Sequence, residues 1–357
     1  MQTLLITFFS SFIVAWGIVI LADKKSYFLN HQDLTGVQKI HLRPTPHVGG
    51  LAVVIGFAIG IYFLPNTELL LLPLLLASLP TFFGGLIDDI SSKVEPFIRL
   101  LFTFTSITIS FVWLNIGVNS LGFEWIDYLF ANYMIIGLLF TLLVVGGTVN
   151  SFNIIDGYNG LMPGYAIIVL LAISFVAYSL GDDFIMQLAL LLSASIFGFL
   201  VLNFPFGKIF IGDGGAYFVG FMTASIGLLL VDRHQALSNW FVLLLFIYPL
   251  YETAFSIIRR KIFKKTGTTK PDARHLHSLI YKKIIISNRS KDKKKYNNIT
   301  SPFLWALSLV GVIPAVIWYD NKIALIAWAI AFMITYTVVY RYVVNLILKP
   351  TKTKGNI

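Results

Sequence analysis

A bundle of about eleven membrane-spanning helices is the fold class this sequence predicts, and three observations predict it. The 357 residues are 57% hydrophobic and only 12% charged, with a mean hydropathy of +0.80; a soluble chain would be nearer a quarter charged. Apolar runs of 17 or more residues recur from end to end, the length a helix needs to cross hydrocarbon. The basic residues are also segregated. Of 27 Lys and Arg, only Arg233 and Lys322 fall beside one set of connections, and the other 25 lie on or next to the other set.

The apolar spans fall at 3–22, 48–64, 69–87, 98–117, 133–149, 161–180, 184–203, 214–231, 239–258, 302–319 and 322–346. The first lacks a basic n-region and a small-residue cleavage site, so it reads as a retained helix and not a removed signal peptide. The second is short and joins the third through a tight turn at 64–69. The basic connections are 23–47, 88–97, 150–160, 204–213, 259–301 and the tail 347–357. By the positive-inside rule these are cytoplasmic, and an odd number of spans then puts the N-terminus outside and the C-terminus inside. The net charge of +10 is thus a cytoplasmic surface suited to anionic lipid and anionic substrates. No soluble basic domain carries it, which argues against nucleic acid. The chain has no cysteine, so disulfides and thiolate metal sites are excluded. No internal repeat is visible, which counts against the inverted halves common in secondary transporters.

The polar clusters all lie on the basic side. Asn150, Asn153 and Asp156 in Asn150-Ser151-Phe152-Asn153-Ile154-Ile155-Asp156-Gly157-Tyr158-Asn159-Gly160-Leu161 recur every three residues, so on a helix they share one broad face. A carboxylate and two carboxamides at the edge of hydrocarbon are costly unless they bind something; the plain alternative is a polar helix end touching headgroups. Pro44-Thr45-Pro46-His47-Val48-Gly49-Gly50 leads into the second span, and His41, Arg43 and His47 could meet phosphate there or form an ordinary turn at the membrane surface. Gly84-Gly85-Leu86-Ile87-Asp88-Asp89 closes the third span, its two aspartates about 100° apart around a helix. Phe210-Ile211-Gly212-Asp213-Gly214-Gly215 opens the eighth, where Asp213 can cap the helix and Gly214 can offer its N–H to an anion. Arg274-His275-Leu276-His277 lies in the basic loop. Its histidines would face opposite ways on a helix, but in a loop both could donate to a diphosphate.

Asp88, Asp89, Asp156 and Asp213 therefore meet at one membrane face, with Glu252 nearly the only other acid within the spans. Each carboxylate would cost about 2.5–3.5 kcal/mol at the bilayer centre, and four together repel. A divalent cation resolves this, and an all-oxygen ligand set favours Mg²⁺, with Mn²⁺ as the alternative. Carboxylates, glycine-rich turns and basic residues in one place read as phosphoryl chemistry.

In this order the five motifs PTPHVGG, GLIDD, NSFNIIDGYNGL, FIGDGG and RHLH resemble those of the polyprenyl-phosphate N-acetylhexosamine-1-phosphate transferases, a superfamily that includes the phospho-MurNAc-pentapeptide translocase. The similarity runs from about Lys39 to His277, and eleven spans suit the GlcNAc-1-phosphate branch. The resemblance implies transfer of a sugar 1-phosphate from a UDP-N-acetylhexosamine to undecaprenyl phosphate, with release of UMP, at the bacterial inner membrane, to begin a surface polysaccharide. It implies that Asp213 coordinates Mg²⁺ and that Asp88 and Asp89 contact metal or deprotonate the lipid phosphate, directly or through a covalent aspartyl-phosphate. Asn153 and Asp156 match its nucleotide and metal motif; Arg274, His275 and His277 match its diphosphate or sugar loop. A homodimer is compatible with it. Asn159 stands where many members have a second aspartate, Ala216 where a serine is usual, and Ser278 where the histidine run often continues. The last departure, with the span count, disfavours the translocase. Two other classes compete: a secondary transporter, whose polar groups would lie at mid-membrane on broken helices, and a membrane prenyltransferase, whose aspartates would be spaced a helical turn apart in two helices.

Overall fold

The computed structural model describes residues 1–25, 45–64, 70–91, 93–263, 274–288 and 293–348, and builds them into helices. The first seven are α1 (Gln2–Lys25), α2 (Gly50–Tyr62), α3 (Leu71–Ser91), α4 (Pro96–Leu114), α5 (Glu124–Asn132), α6 (Met134–Ile155) and α7 (Leu161–Ser179). The rest are α8 (Asp183–Asn203), α9 (Gly212–Arg233), α10 (Asn239–Leu245), α11 (Ile247–Phe263), α12 (Leu276–Asn288), α13 (Lys293–Ile317) and α14 (Lys322–Leu348). Each of the eleven apolar runs is helical. Among the described residues nine helices are long and apolar enough to cross a membrane, and α10 with α11 makes a tenth if that bent pair is one span. The protein is a polytopic helical membrane protein.

The short second span is where the structure departs from the expected count. Helix α2 has 13 residues, about 20 Å at the helical rise, less than the hydrocarbon thickness. The residues before it stay extended because another loop claims their backbone. Phe210 N–H donates to Pro46 O (2.9 Å), Gly49 N–H to Phe210 O (2.9 Å) and Gly50 N–H to Ile211 O (2.7 Å). Non-helical backbone is tolerated at such depth only when protein pairs it.

The ninth apolar run is broken as well. Helices α10 and α11 meet at an angle of 69°, and Pro249 is the reason. It has no N–H to give the carbonyl four residues back, Leu245 O. Tyr165 in α7 fills the gap by donating its hydroxyl to that oxygen at 2.6 Å.

Helix α9 is the axis of the fold. Its apolar length is wholly buried, packed by α2, α3, α6, α7 and α8, while α1, α4 and α14 are mostly bare on the outside. Small residues at its start permit this. A Cβ on Gly50 would fall 2.4 Å from Gly215 Cα, and one on Gly85 would fall 2.4 Å from Gly214 N, so two neighbouring helices touch α9 backbone to backbone.

The connections gather at two ends, in the two sets that the basic residues separate. At one end Asn239 donates to Ser120 O (2.6 Å), Trp240 Nε1 to Leu121 O (3.0 Å) and Ser238 N–H to Tyr319 O (3.2 Å). At the other, the 46–50 segment meets 210–211, Asn159 donates to Asn298 (3.2 Å), and Glu252 meets His275. The polar motifs lie at this second end.

Candidate active site

The site is built on the first turn of α9. A helix start leaves backbone N–H groups without partners, and here they are capped from another helix. Asp89, near the end of α3, accepts Asp213 N–H on Oδ1 (2.7 Å) and Gly214 N–H on Oδ2 (3.0 Å). The Gly214 N–H, expected to meet an anion, is therefore taken by Asp89. Gly212 stands at φ +75°, and a Cβ there would fall 1.9 Å from His47 O and 2.5 Å from Asp89 Oδ2. Only glycine passes between those two oxygens.

Asp88 points away from Asp89, as neighbours on a helix must. Its Oδ1 accepts Val94 N–H (3.0 Å) and its Oδ2 accepts Arg99 Nη1 (2.8 Å). The same guanidinium nitrogen donates to Asp213 Oδ2, so Arg99, in the first turn of α4, ties Asp88 to Asp213. Asn153 hydrogen-bonds Asp213 from the last turn of α6. Asp156 follows that helix, half-buried. Burial pushes its carboxyl well above the usual carboxylate range, and the nearby Asp213 and Asp89 push the same way. Tyr217, one turn into α9, lies within electrostatic reach of Arg99 and Asp213.

The triplet on α6 converges only in part. Asn153 and Asp156 reach the cluster, whereas Asn150, a turn deeper, donates its amide back to Gly146 O (2.8 Å). Asn159 is buried, donates its side-chain amide to Asn298 and accepts the Ser301 hydroxyl on its main-chain carbonyl (2.6 Å). It braces α13 against the loop. His47 lies against the Phe210 ring (centroids 4.9 Å apart) beside the α9 turn. His41 and Arg43 lie outside the described residues.

The second wall comes from the basic loop. His275 precedes α12 and is not within it, so the two histidines do not diverge; their rings stack 5.2 Å apart and nearly parallel (6°). Glu252 of α11 fixes the pair. Fully buried, it accepts His275 Nδ1–H (3.0 Å) and Leu276 N–H (3.0 Å) on Oε1 and the Tyr336 hydroxyl (2.6 Å) on Oε2. A proton held on Nδ1 leaves Nε2 of His275 as the second ring nitrogen for chemistry. His277 packs on Tyr158 (5.3 Å between rings) with its Nε2 against Gly157, which joins RHLH to the loop after Asp156. Arg274 is exposed at the rim, and its carbonyl accepts the Tyr340 hydroxyl (3.2 Å).

Arg99 and the anchoring role of Glu252 were not legible in the motifs. A lone arginine at a span start reads as a topology signal, and its partner Asp213 is 114 residues away. The expectation of four aspartates around one cation needs correction too. Asp88 is drawn to Arg99 and Asp89 to the α9 backbone, and no group of three or more His, Asp or Glu among the described residues is arranged to hold a metal. The donor chemistry still fits Mg²⁺ of the open kind, which takes one or two carboxylates and leaves the rest of its shell to water and phosphate. Asp213 and Asp156 with the Asn153 amide are all-oxygen donors, and four crowded carboxylates leave negative charge beyond what Arg99 offsets.

Comparison with known proteins bears on this arrangement. The family model described as Glycosyl transferase family 4 matches residues 71–231, which hold four of the helices that meet at the cluster. The chain is 31% identical over 258 residues, 69% of this chain and 68% of the relative, to a Bacillus subtilis (strain 168) protein named "Probable undecaprenyl-phosphate N-acetylglucosaminyl 1-phosphate transferase". It is 28% identical over 261 residues (73% and 75%) to a Thermotoga maritima protein, and 28% identical over 275 residues (73% and 69%) to an Escherichia coli (strain K12) protein. Both of these are named undecaprenyl-phosphate alpha-N-acetylglucosaminyl 1-phosphate transferase.

Proposed function

This chain belongs to glycosyl transferase family 4, and on that premise we propose that it transfers N-acetylglucosamine 1-phosphate from UDP-N-acetylglucosamine to undecaprenyl phosphate. One observation carries the reading: α3, α4, α6 and α9 bring Asp88, Arg99, Asn153, Asp156 and Asp213 to one point at one end of the bundle. An oxygen of the lipid phosphate bonds to the β-phosphorus of the donor as the bond from that phosphorus to its bridging oxygen breaks. The electron pair leaves with UMP, and a lipid-linked sugar diphosphate remains.

Asp213 and Asp156, with Asn153, would hold Mg²⁺; when bound, the ion supplies positive charge to the diphosphate oxygens. Of the three catalytic candidates, Asp89 is occupied in holding the α9 turn. Asp88 is left to take a proton from the acceptor phosphate, and Asp156 can do so only where it is not engaged by the ion. His275, His277 and Arg274 face the donor diphosphate and sugar, with Glu252 fixing the first. The acid-lined end faces the cytoplasm of a bacterial inner membrane, since the basic connections lie there, and the lipid-linked product begins a surface polysaccharide.

The test is the purified protein in detergent with undecaprenyl phosphate, Mg²⁺ and a panel of UDP-N-acetylhexosamines, scored for UMP and for labelled lipid. UMP release with UDP-N-acetylglucosamine, abolished by EDTA, is expected. Release only with another sugar would reassign the donor, and no release with any donor would overturn the reading. A chiral phosphate should show inversion; retention would instead require a covalent aspartyl intermediate.

A further inference from the structure

A cleft away from the acidic cluster opens at the same end of the molecule. It measures about 650 Å³ and lies between α11, α12 and α14, a size that holds a substantial part of a lipid-sized molecule. On α11, Phe255, Ile258, Arg259 and Ile262 line it, spaced as one helical face; on α14, Tyr340, Arg341 and Val344 do the same. Ile258, Ile262 and Leu348 on these helices are 55%, 65% and 73% exposed, so the walls continue as bare apolar surface toward the lipid.

The lining is one-sided in charge. Arg259, Arg274, Lys282 and Arg341 border the cleft, and among the described residues no acid does. One of these cations is oriented in advance. The Arg259 guanidinium stands 5.9 Å over the Tyr340 ring; that ring packs edge-on against Phe255 at 4.7 Å, and its hydroxyl is tied to Arg274 O. Basic residues crowning an apolar slot at a helix end match a phosphate headgroup with its acyl chain below.

We propose that this cleft is a binding site for an anionic glycerophospholipid of the surrounding bilayer, distinct from the acidic cluster and bordering the transfer site at Arg274. The lipid acceptor is the other phosphate-bearing chain to consider, but Asp88, Arg99, Asn153, Asp156 and Asp213 do not line the cleft and α3, α4 and α9 contribute nothing to it; Arg274, at the rim, is shared with the proposed donor wall. Phe255, which lines the cleft, packs 5.6 Å from the Tyr336 ring, and Tyr336 donates to Glu252, the residue that holds His275. The bound lipid braces α11 and α12, which flank the loop bearing His275, so it holds one wall of the active site in place.

The test is native mass spectrometry of the full chain in nanodiscs, with phosphatidylglycerol and phosphatidylethanolamine at equal fraction. Retention of phosphatidylglycerol over phosphatidylethanolamine is expected, falling about five-fold for Arg341→Ala, the effect of one cation near a charged headgroup, and again for Arg259→Ala. Val344→Trp, which fills the slot without changing charge, should displace the lipid equally. Equal retention of both lipids, or unchanged retention in all three variants, would overturn the proposal. So would displacement by an equimolar short-chain polyprenyl phosphate, which would make the cleft part of the acceptor path. The readout is binding and not turnover, so its failure is separable from failure of the transferase reading.

Discussion

At the scale of single residues, charge decides what each carboxylate does. Asp89 accepts two backbone N–H groups and Asp88 is paired with Arg99, whereas Asp213 is shared between Arg99 and Asn153. Asp213→Asn keeps the shape but removes the charge that a cation needs. Its kcat should fall at least about 100-fold, the usual scale for losing one preorganised electrostatic group, with thermal unfolding unchanged. A fully active Asp213→Asn protein would remove it from the reaction. Glu252 acts at one remove, through His275. In Glu252→Gln the amide no longer fixes the imidazole by charge, and a loss of about 10–100-fold is expected, as for other residues that orient a histidine. The loss should appear mainly in kcat, with a displaced pH profile, and Glu252→Asp should recover part of it. A purely structural role would instead lower the unfolding temperature and leave the pH profile in place. The aspartates were legible because acids are costly in apolar spans. Arg99 was not, because its two partners are named only once α3, α4 and α9 are folded together.

At the scale of elements, close packing and end chemistry set the limits. Gly50→Ala and Gly85→Ala each drive a methyl into the backbone of α9 at 2.4 Å, so α2 or α3 must retreat from the turn that presents Asp213. Each should cost about 1–3 kcal/mol and abolish most activity. Gly147→Ala, whose methyl would meet only Leu250 at 3.7 Å, should be silent in both assays. Equal tolerance of all three would show that the α9 contact is loose. At the opposite end Asp182 caps α8 through Ile185 N–H (3.0 Å) and pairs with Arg233 (2.7 Å) and His234 (2.9 Å). Burial alone would raise its carboxyl, but these hydrogen bonds outweigh burial and hold it below the usual carboxylate range. Its contribution is thus present in full above that range and lost as the pH falls through the depressed value. The gap in unfolding temperature between wild type and Asp182→Asn should shrink on acidification; a constant gap would assign Asp182 no charged role. Helix positions were readable from hydropathy, and helix breaks were not. Pro249 sits inside an apolar run, and the bend it makes depends on Tyr165, 84 residues earlier in the chain, being in place to satisfy Leu245 O.

At the scale of the whole molecule, the two ends of the bundle differ in charge and chemistry. Two ends are distinguishable in the structure: one gathers residues 118–122, 182, 232–240 and 319–322, the other the acid-lined site. The positive-inside rule predicts that the site end is cytoplasmic, and the short α2 and the bent α10–α11 pair make labelling, and not a count of spans, the test of it. Absence of cysteine makes this direct, since any thiol introduced is the only one present. Lys208 is exposed at the site end and Gln235 at the other. In intact spheroplasts a membrane-impermeant maleimide should label Gln235→Cys and spare Lys208→Cys, and permeabilisation should expose the second. The opposite pattern would place Asp213 away from the cytoplasmic pool of nucleotide sugars, and with it the proposed donor.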